Sequence, residues 1–328
     1  MEFGIQLANL EPAKIRDLSQ AAEGLGFDYV LFPDHIVIEG PERQYDPHAL
    51  AWDMVAMAAY AAAATKKLRV GHLVLCNLFR HPAITAQSLM TLDHQSGGRA
   101  VAGLGTGWTE TEFRMTGIAF PPITERLRML DEALTVIKSL WTKERTTFDG
   151  EFYKLRDAIL WPKPVQKPHL PIIVGGGGRG LLRIAARHAD YLNIIPDSGK
   201  PGHLSLANAR KLTDDSYREK TAFVRDEARR LGRQQDAVKI SSFVYMAQIT
   251  ESREATAKSA EMWASAFGQT AEQILQSPML LIGTPDDCAT ELRRRIKTWG
   301  LAQCIFATSA FGDESGLRRL REQVLAHI

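Results

Sequence analysis

Ile172-Ile173-Val174-Gly175-Gly176-Gly177-Gly178-Arg179-Gly180 is the stretch on which the reading of this 328-residue chain turns. An apolar β-branched run, short enough for a buried strand, ends in four consecutive glycines. An apolar helical pattern (Leu181, Leu182, Ile184, Ala185, Ala186) follows at once. Glycine has no Cβ, so such a turn can take positive φ and let a ligand approach its backbone closely. The unpaired N–H groups at the start of the next helix attract an anion, typically a phosphate. Strand, glycine turn and helix together make a phosphate cradle, with Val174, Gly175, Gly176, Gly177 and Gly178 as its candidate residues.

The same strand–helix unit recurs on both sides of this stretch. Strand-like runs at 3–7, 29–32, 68–75, 101–104, 172–174, 191–195, 238–246 and 302–307 alternate with helical patterns. The helical patterns fall at 12–25, 54–64, 83–92, 124–141, from the glycine run to 188, and at 314–326. Eight strands alternating with helices predict a (β/α)8 TIM barrel with insertion segments rather than an open sheet, as one domain over 1–328. Asp149-Gly150 between two short strand-like runs reads as a hairpin, and the Pro-rich run 161–171 leads back to the fifth strand. The polar segment 198–215 reads as a loop, a candidate mobile lid. Gly175-x-Gly177-x-x-Gly180 formally matches a dinucleotide fingerprint, with Asp197 downstream. Four glycines meet that pattern almost by default, and four strand–helix units precede it where a Rossmann domain would open with it. A mononucleotide-like phosphate fits this position better.

Composition narrows the function classes. With 45% hydrophobic and 24% charged residues and a net charge of +2, the chain reads as an ordinary soluble globular protein. That balance argues against a nucleic-acid or membrane-surface role. No window offers the ~20 uninterrupted apolar residues of a membrane span. Met1-Glu2-Phe3-Gly4 runs into a strand without a charged-then-apolar leader, so a cytoplasmic location is expected. Cys76, Cys288 and Cys304 fit reduced thiols rather than a disulfide framework. The histidines are scattered without metal-ligand spacing, and no metal site is expected.

In such a barrel, chemistry sits at the carboxyl ends of the strands. Strand two ends in Pro33-Asp34-His35. Histidine changes charge near neutral pH and an adjacent carboxylate can tune it, so Asp34 and His35 are the acid–base candidates. The alternative is that Asp34 caps a turn and His35 is a structural loop residue. Strand four ends in Gly105-Thr106-Gly107-Trp108, which offers a hydroxyl, two flexible turn positions and an aromatic surface for a planar ring. It is equally a glycine turn with Trp108 anchoring the helix that follows.

These pieces, in this order and over nearly the whole chain, resemble the bacterial luciferase-like monooxygenase family. Within it they are most similar to the branch of oxidoreductases that use coenzyme F420, a 5-deazaflavin. The resemblance lies in Leu25-Gly26-Phe27-Asp28 with Phe32-Pro33-Asp34-His35, in Arg80-His81-Pro82-Ala83, and in Ser96-Gly97-Gly98-Arg99. It continues through Gly103 to Trp108, Pro171 to Gly178, Ala189-Asp190 and Gly283-Thr284-Pro285. It implies that Leu73-Val74 forms the family's strand-three bulge, often a non-prolyl cis peptide, which supports the cofactor ring from behind. Thr106 and Gly107 would line the cofactor, Gly175 to Gly178 would bind its phosphate through backbone N–H groups, and His35 would be the proton donor or acceptor. Two positions depart from the sugar-phosphate dehydrogenases of this group. Glu39 stands where some of them carry an aromatic residue, and Trp108 where they place a carboxylate, which argues against a phosphorylated sugar as substrate.

The implied reaction is hydride transfer between C5 of the deazaflavin and a small organic substrate, with His35 moving the coupled proton. One alternative is an FMN-dependent monooxygenase that takes reduced flavin from a partner reductase and activates O2. Another is a non-catalytic flavin-binding barrel. Substrate choice falls to loops 36–48 and 196–215. A homodimer is expected from the family, with the Ala-rich helix at 54–64 as a plausible contact.

Overall fold

The computed structural model describes residues 1–38, 46–197 and 210–328. In chain order the strands are β1 (Glu2–Gln6), β2 (Tyr29–Phe32), β3 (Arg69–His72), β4 (Leu75–Cys76), β5 (Ala100–Gly105), β6 (Thr146–Asp149) and β7 (Lys154–Ala158). They continue with β8 (Ile172–Gly175), β9 (Tyr191–Ile194), β10 (Lys239–Val244), β11 (Met246–Ile249), β12 (Leu280–Gly283) and β13 (Leu301–Ala307). The helices are α1 (Pro12–Gly24), α2 (Met54–Ala64), α3 (Pro82–Ser96), α4 (Glu110–Thr116), α5 (Ile123–Thr142) and α6 (Arg179–His188). After them come α7 (Asp214–Arg230), α8 (Arg253–Phe267), α9 (Ala271–Leu275), α10 (Pro285–Trp299), α11 (Thr308–Phe311) and α12 (Glu314–Gln323).

Strands β3, β2, β1, β13, β10, β9, β8 and β5 lie side by side in that order, and a further β3–β5 pairing closes the ring. All these pairings are parallel. Helices cover the outside, so each strand is buried on both faces and reads as an apolar run. Alternate residues divide between two cores. Tyr29, Leu31, Leu73, Val101, Ile173, Tyr191 and Ile305 form the cluster inside the ring. Val30, Phe32, Ala102, Ile172, Val174, Leu192 and Phe306 join the larger cluster between strands and helices. The inside also carries polar groups that bond to one another, although Gln303 Nε2 is buried without a partner among the described residues. Asn193 donates to Ser241 at 2.8 Å, and Ser241 donates to Gln303 at 2.7 Å.

The eight predicted strands are the eight staves of the barrel, with two changes. The predicted run 68–75 is interrupted: β3 ends at His72, the Leu73-Val74 peptide is cis, and β4 resumes at Leu75. The Gln6 side-chain amide donates to the Leu73 carbonyl, so the group that leaves the ladder is still paired. The predicted run 238–246 ends its barrel pairing at Val244. Met246–Ile249 pairs instead with Leu280–Gly283 in a separate parallel pair, packed under Ala260, Ala264 and Ile274 of α8 and α9. The hairpin at Asp149-Gly150 is present, and Glu132 of α5 accepts from the backbone N–H groups of Glu151, Phe152 and Tyr153.

Most of the predicted lid (198–209) and Glu39 lie outside the described residues. The end of that segment is helical rather than loop: Thr213 and Ser216 form a reciprocal capping box and α7 starts at Asp214. No helix among the described residues is long and apolar enough to cross a membrane.

Ring closure depends on Gly71, which pairs opposite Val101. A Cβ there would lie 2.0 Å from the Val101 carbonyl oxygen. Gly71→Ala is therefore expected to destabilise the fold by on the order of 3 kcal/mol, read as a lowered urea midpoint.

Candidate active site

The carboxyl ends of the staves form one rim, and four of the sequence-predicted stretches meet there. Asp34 follows β2 and is buried. Its Oδ2 accepts from the Cys76 N–H at 2.9 Å and from Arg80 Nη1 at 2.7 Å, and its Oδ1 accepts from Arg80 Nη2 at 3.1 Å. This two-pronged ion pair ties the end of β2 to β4 and to the approach to α3. Arg80 also reaches Asp53, which caps α2 through the Val55 and Ala56 N–H groups. Asp34 is thus engaged by Arg80, and the carboxylate that faces the His35 ring comes from elsewhere.

That carboxylate is Glu112 of α4. Both its oxygens lie 3.2 Å from His35 Nδ1, and Oε1 also accepts from the N–H groups of Ile36 at 2.7 Å and Val37 at 3.1 Å. Its side chain is 3% exposed, against 23% for His35. Trp108 meets the imidazole edge-on, with ring centroids 5.6 Å apart and planes at 82°. Gly107 has φ of +74°, and its carbonyl accepts from the Arg126 guanidinium. Thr106 is half-buried beside it.

The cis Leu73-Val74 peptide stands where the resemblance implied one. Leu73 is part of the cluster inside the ring, and its N–H donates to the Phe32 carbonyl at 2.8 Å. Val74 is half-buried and fills space that side chains at Gly105 and Gly175 would need. A Cβ at Gly105 would sit 2.6 Å from Val74 Cγ2, and one at Gly175 would sit 3.0 Å from Cγ1. These two glycines therefore make room for a valine at the mouth, whatever else they touch.

The glycine turn after β8 has internal duties as well. Gly176 has φ of +150°, donates to the Asn193 carbonyl at 3.0 Å, and leaves no room for a Cβ beside Leu181. A Cβ at Gly177 would lie 2.3 Å from the Ile195 carbonyl oxygen. Gly178 starts α6 without a side-chain cap. Lys220 of α7 donates to the Gly177 carbonyl at 2.7 Å; burial lowers its pKa and nearby Asp197 opposes that shift. Val174 is the exception in this group. It is fully buried in the outer cluster, so its side chain faces the helical layer and only its backbone belongs to the rim.

Three contributors escaped the sequence reading: Glu112, Arg80 in its pairing role, and Lys220. The one signal for Glu112 was its place four residues after Trp108, at the start of a helix. Cys76, Cys288 and Cys304 are buried and free. Burial pushes the Cys76 thiol up to about 12, which keeps it protonated at the rim.

The sequence profile described as luciferase-like monooxygenase matches residues 2–303, and the chain belongs to that family. A protein of Kineococcus radiotolerans named F420-dependent glucose-6-phosphate dehydrogenase is 39% identical over 193 residues, 58% of this chain and 53% of that protein. One of the same name from Microbacterium testaceum is 33% identical over 230 residues, 69% of this chain and 65% of its own length. An FMNH(2)-dependent dimethylsulfone monooxygenase of Pseudomonas putida is 34% identical over 177 residues, 54% of this chain and 47% of that protein. The matches thus span about half to two thirds of these relatives. Among solved structures, an F420-dependent secondary alcohol dehydrogenase superposes with a TM-score of 0.79 at 21% identity, covering 100% of this chain and 99% of that one. This likeness is one of fold.

His72, just before the cis peptide, is fully buried and its Nε2 lies 3.2 Å from the Met54 carbonyl. Burial pushes its pKa down from 6.5 to about 4, with Asp34 opposing. Between those values the unfolded chain binds the proton more readily, so stability rises with pH there. The contribution is complete above about 6.5 and is lost as pH falls towards 4. His72→Gln is expected to remove on the order of 3 kcal/mol of the acid-side loss across that window, compared by urea denaturation at several pH values.

Proposed function

We propose that this protein is an oxidoreductase that transfers a hydride between coenzyme F420 and a small organic substrate. The observation that carries this reading is His35. It is a partly exposed imidazole at the end of β2, held by a buried carboxylate, on the same rim as the helix N-terminus behind a glycine turn. The named relatives that use F420 support it.

The residues fit such a cofactor. The glycine turn and the N-terminus of α6 would take the phosphate, with Lys220 donating to the Gly177 carbonyl and the Asp197 carboxylate close to Gly178. Val74, Gly105, Thr106, Gly107 and Trp108 would border the ring system. When bound, F420 supplies C5 of its deazaflavin as hydride donor or acceptor. His35 holds the proton that must leave or reach the substrate oxygen. Trp108 packs against the imidazole in a T-shaped contact, with centroids 5.6 Å apart. An indole edge beside His35 suits an uncharged alcohol or carbonyl compound better than a sugar phosphate.

A second reading, an FMN-dependent monooxygenase using reduced flavin and O2, is favoured by the similarity to the dimethylsulfone monooxygenase. A separate reductase or dehydrogenase would supply reduced cofactor in either case. Three buried free thiols suit a reducing compartment, and the proposal includes a cytoplasmic location. It also includes a homodimer. Helix α2 leaves Ala56, Tyr60 and Ala63 exposed, next to exposed Ile84 of α3.

Titration of the purified protein with F420 and with FMN, each oxidised and reduced, separates the readings, and F420 is expected to bind tighter. On a panel of short alcohols with oxidised F420, His35→Ala should slow turnover about 100-fold or more while F420 binding stays within about threefold. Sedimentation should give twice the chain mass, and Tyr60→Lys with Ile84→Lys should give the monomer.

A further inference from the structure

We propose that Glu112 is a positioning residue that fixes His35 as the tautomer protonated on Nδ1, leaving Nε2 as the atom that gives or takes the proton. The inference rests on His35 being the proton carrier, but its first premise is geometry alone. Glu112 Oε1 accepts from the backbone N–H groups of Ile36 and Val37, so that oxygen faces donors on two sides. The same carboxylate lies 3.2 Å from His35 Nδ1 through both oxygens. Carboxylate oxygens that already accept two amide protons offer Nδ1 an acceptor, so Nδ1 carries hydrogen whether the ring is neutral or positive. Nε2 is then the only ring nitrogen whose protonation can change.

The surroundings hold this arrangement in place. Glu112 is 2% exposed, so water competes little for its oxygens. Its two bonds to the segment after His35 fix the backbone that carries the ring, and Trp108 restrains the ring from its edge. Asp34, the chain neighbour of His35, is engaged by Arg80 and by the Cys76 N–H. Among the described residues, Glu112 is therefore the carboxylate within hydrogen-bond reach of the ring.

The consequence for the reaction is specific. In the oxidation of an alcohol, bound F420 would take the hydride and its electron pair from the carbinol carbon. The hydroxyl proton passes to Nε2, and the resulting imidazolium faces the Glu112 carboxylate through Nδ1–H. In the reverse direction Nε2–H protonates the carbonyl oxygen. An orienting carboxylate of this kind acts by selecting the tautomer, and its amide analogue selects the wrong one while keeping the shape.

Nitrogen NMR of protein labelled with 15N-histidine tests this without any substrate, with the His35 signals assigned by their loss in His35→Asn. The wild-type neutral ring is expected to show Nδ1 protonated and Nε2 bare. In Glu112→Gln the amide oxygen can keep the Ile36 and Val37 bonds, and its NH2 then faces Nδ1, so the tautomer should invert to Nε2–H. A wild-type ring protonated on Nε2 overturns the proposal, and beyond the His35→Asn protein used for assignment this measurement needs no variant. An unchanged tautomer in a folded Glu112→Gln protein overturns it too, leaving Glu112 a loop clamp only. Failure to bind F420, measured separately, would reject the proposed cofactor and leave the tautomer result standing.

Discussion

The approach of β3 to β5 closes the ring, and it is a short contact. Only Val70 with Ala100 and Gly71 with Val101 pair before the chain leaves the ladder at Leu73. No side chain fits at 71, and the chain rejoins β5 only at Leu75 and Cys76, opposite Leu104 and Gly105. A closed ring has no free edge, so a gap in its ladder must be filled from within. Gln6, from the neighbouring side of the barrel, fills it by donating to the Leu73 carbonyl. Everything at the rim hangs from this departure. It turns Val74 into the mouth, and it presents the Cys76 N–H to Asp34, which in turn holds Arg80.

Two buried carboxylates follow from that frame, and they divide the work. Asp34 is engaged by a guanidinium and one amide, an arrangement that costs desolvation of both charges and gives a fixed geometry in return. Glu112 is engaged by two amides and an imidazole, through Nδ1 of the ring. Adjacency in the chain pointed to Asp34 as the partner of His35. Adjacency in space assigns that place to a residue 77 positions away.

The barrel was legible because staves covered on both faces must be apolar throughout, and the glycine run marked a strand-to-helix turn by composition alone. What escaped has physical reasons. Helix α7 carries a thin buried stripe (Tyr217, Thr221, Val224, Ala228) among many charges, and its capping pair lies in what reads as polar loop. β11 continues the apolar pattern of β10, so nothing in the pattern announces that it changes sheets after Val244. The rim residues Arg80, Glu112 and Lys220 act through partners distant in sequence, and periodicity carries no information about such pairs. Val174 belongs to the cradle in sequence, and the pleat sends its side chain to the far side, so only its backbone faces the rim.

The placement of Val74 against Gly105 and Gly175 has a consequence for how this site can drift. The three positions come from the break after β3, from β5 and from β8, yet they occupy one small volume. A methyl added at Gly105 collides with the valine, and the collision disappears only if the valine is itself reduced. Effects of substitutions there will not add, and each tolerated change at one position alters which changes the other two can accept. Such a trio is expected to vary in concert across descendants of this chain, so that the shape of the pocket floor is inherited as a unit rather than residue by residue.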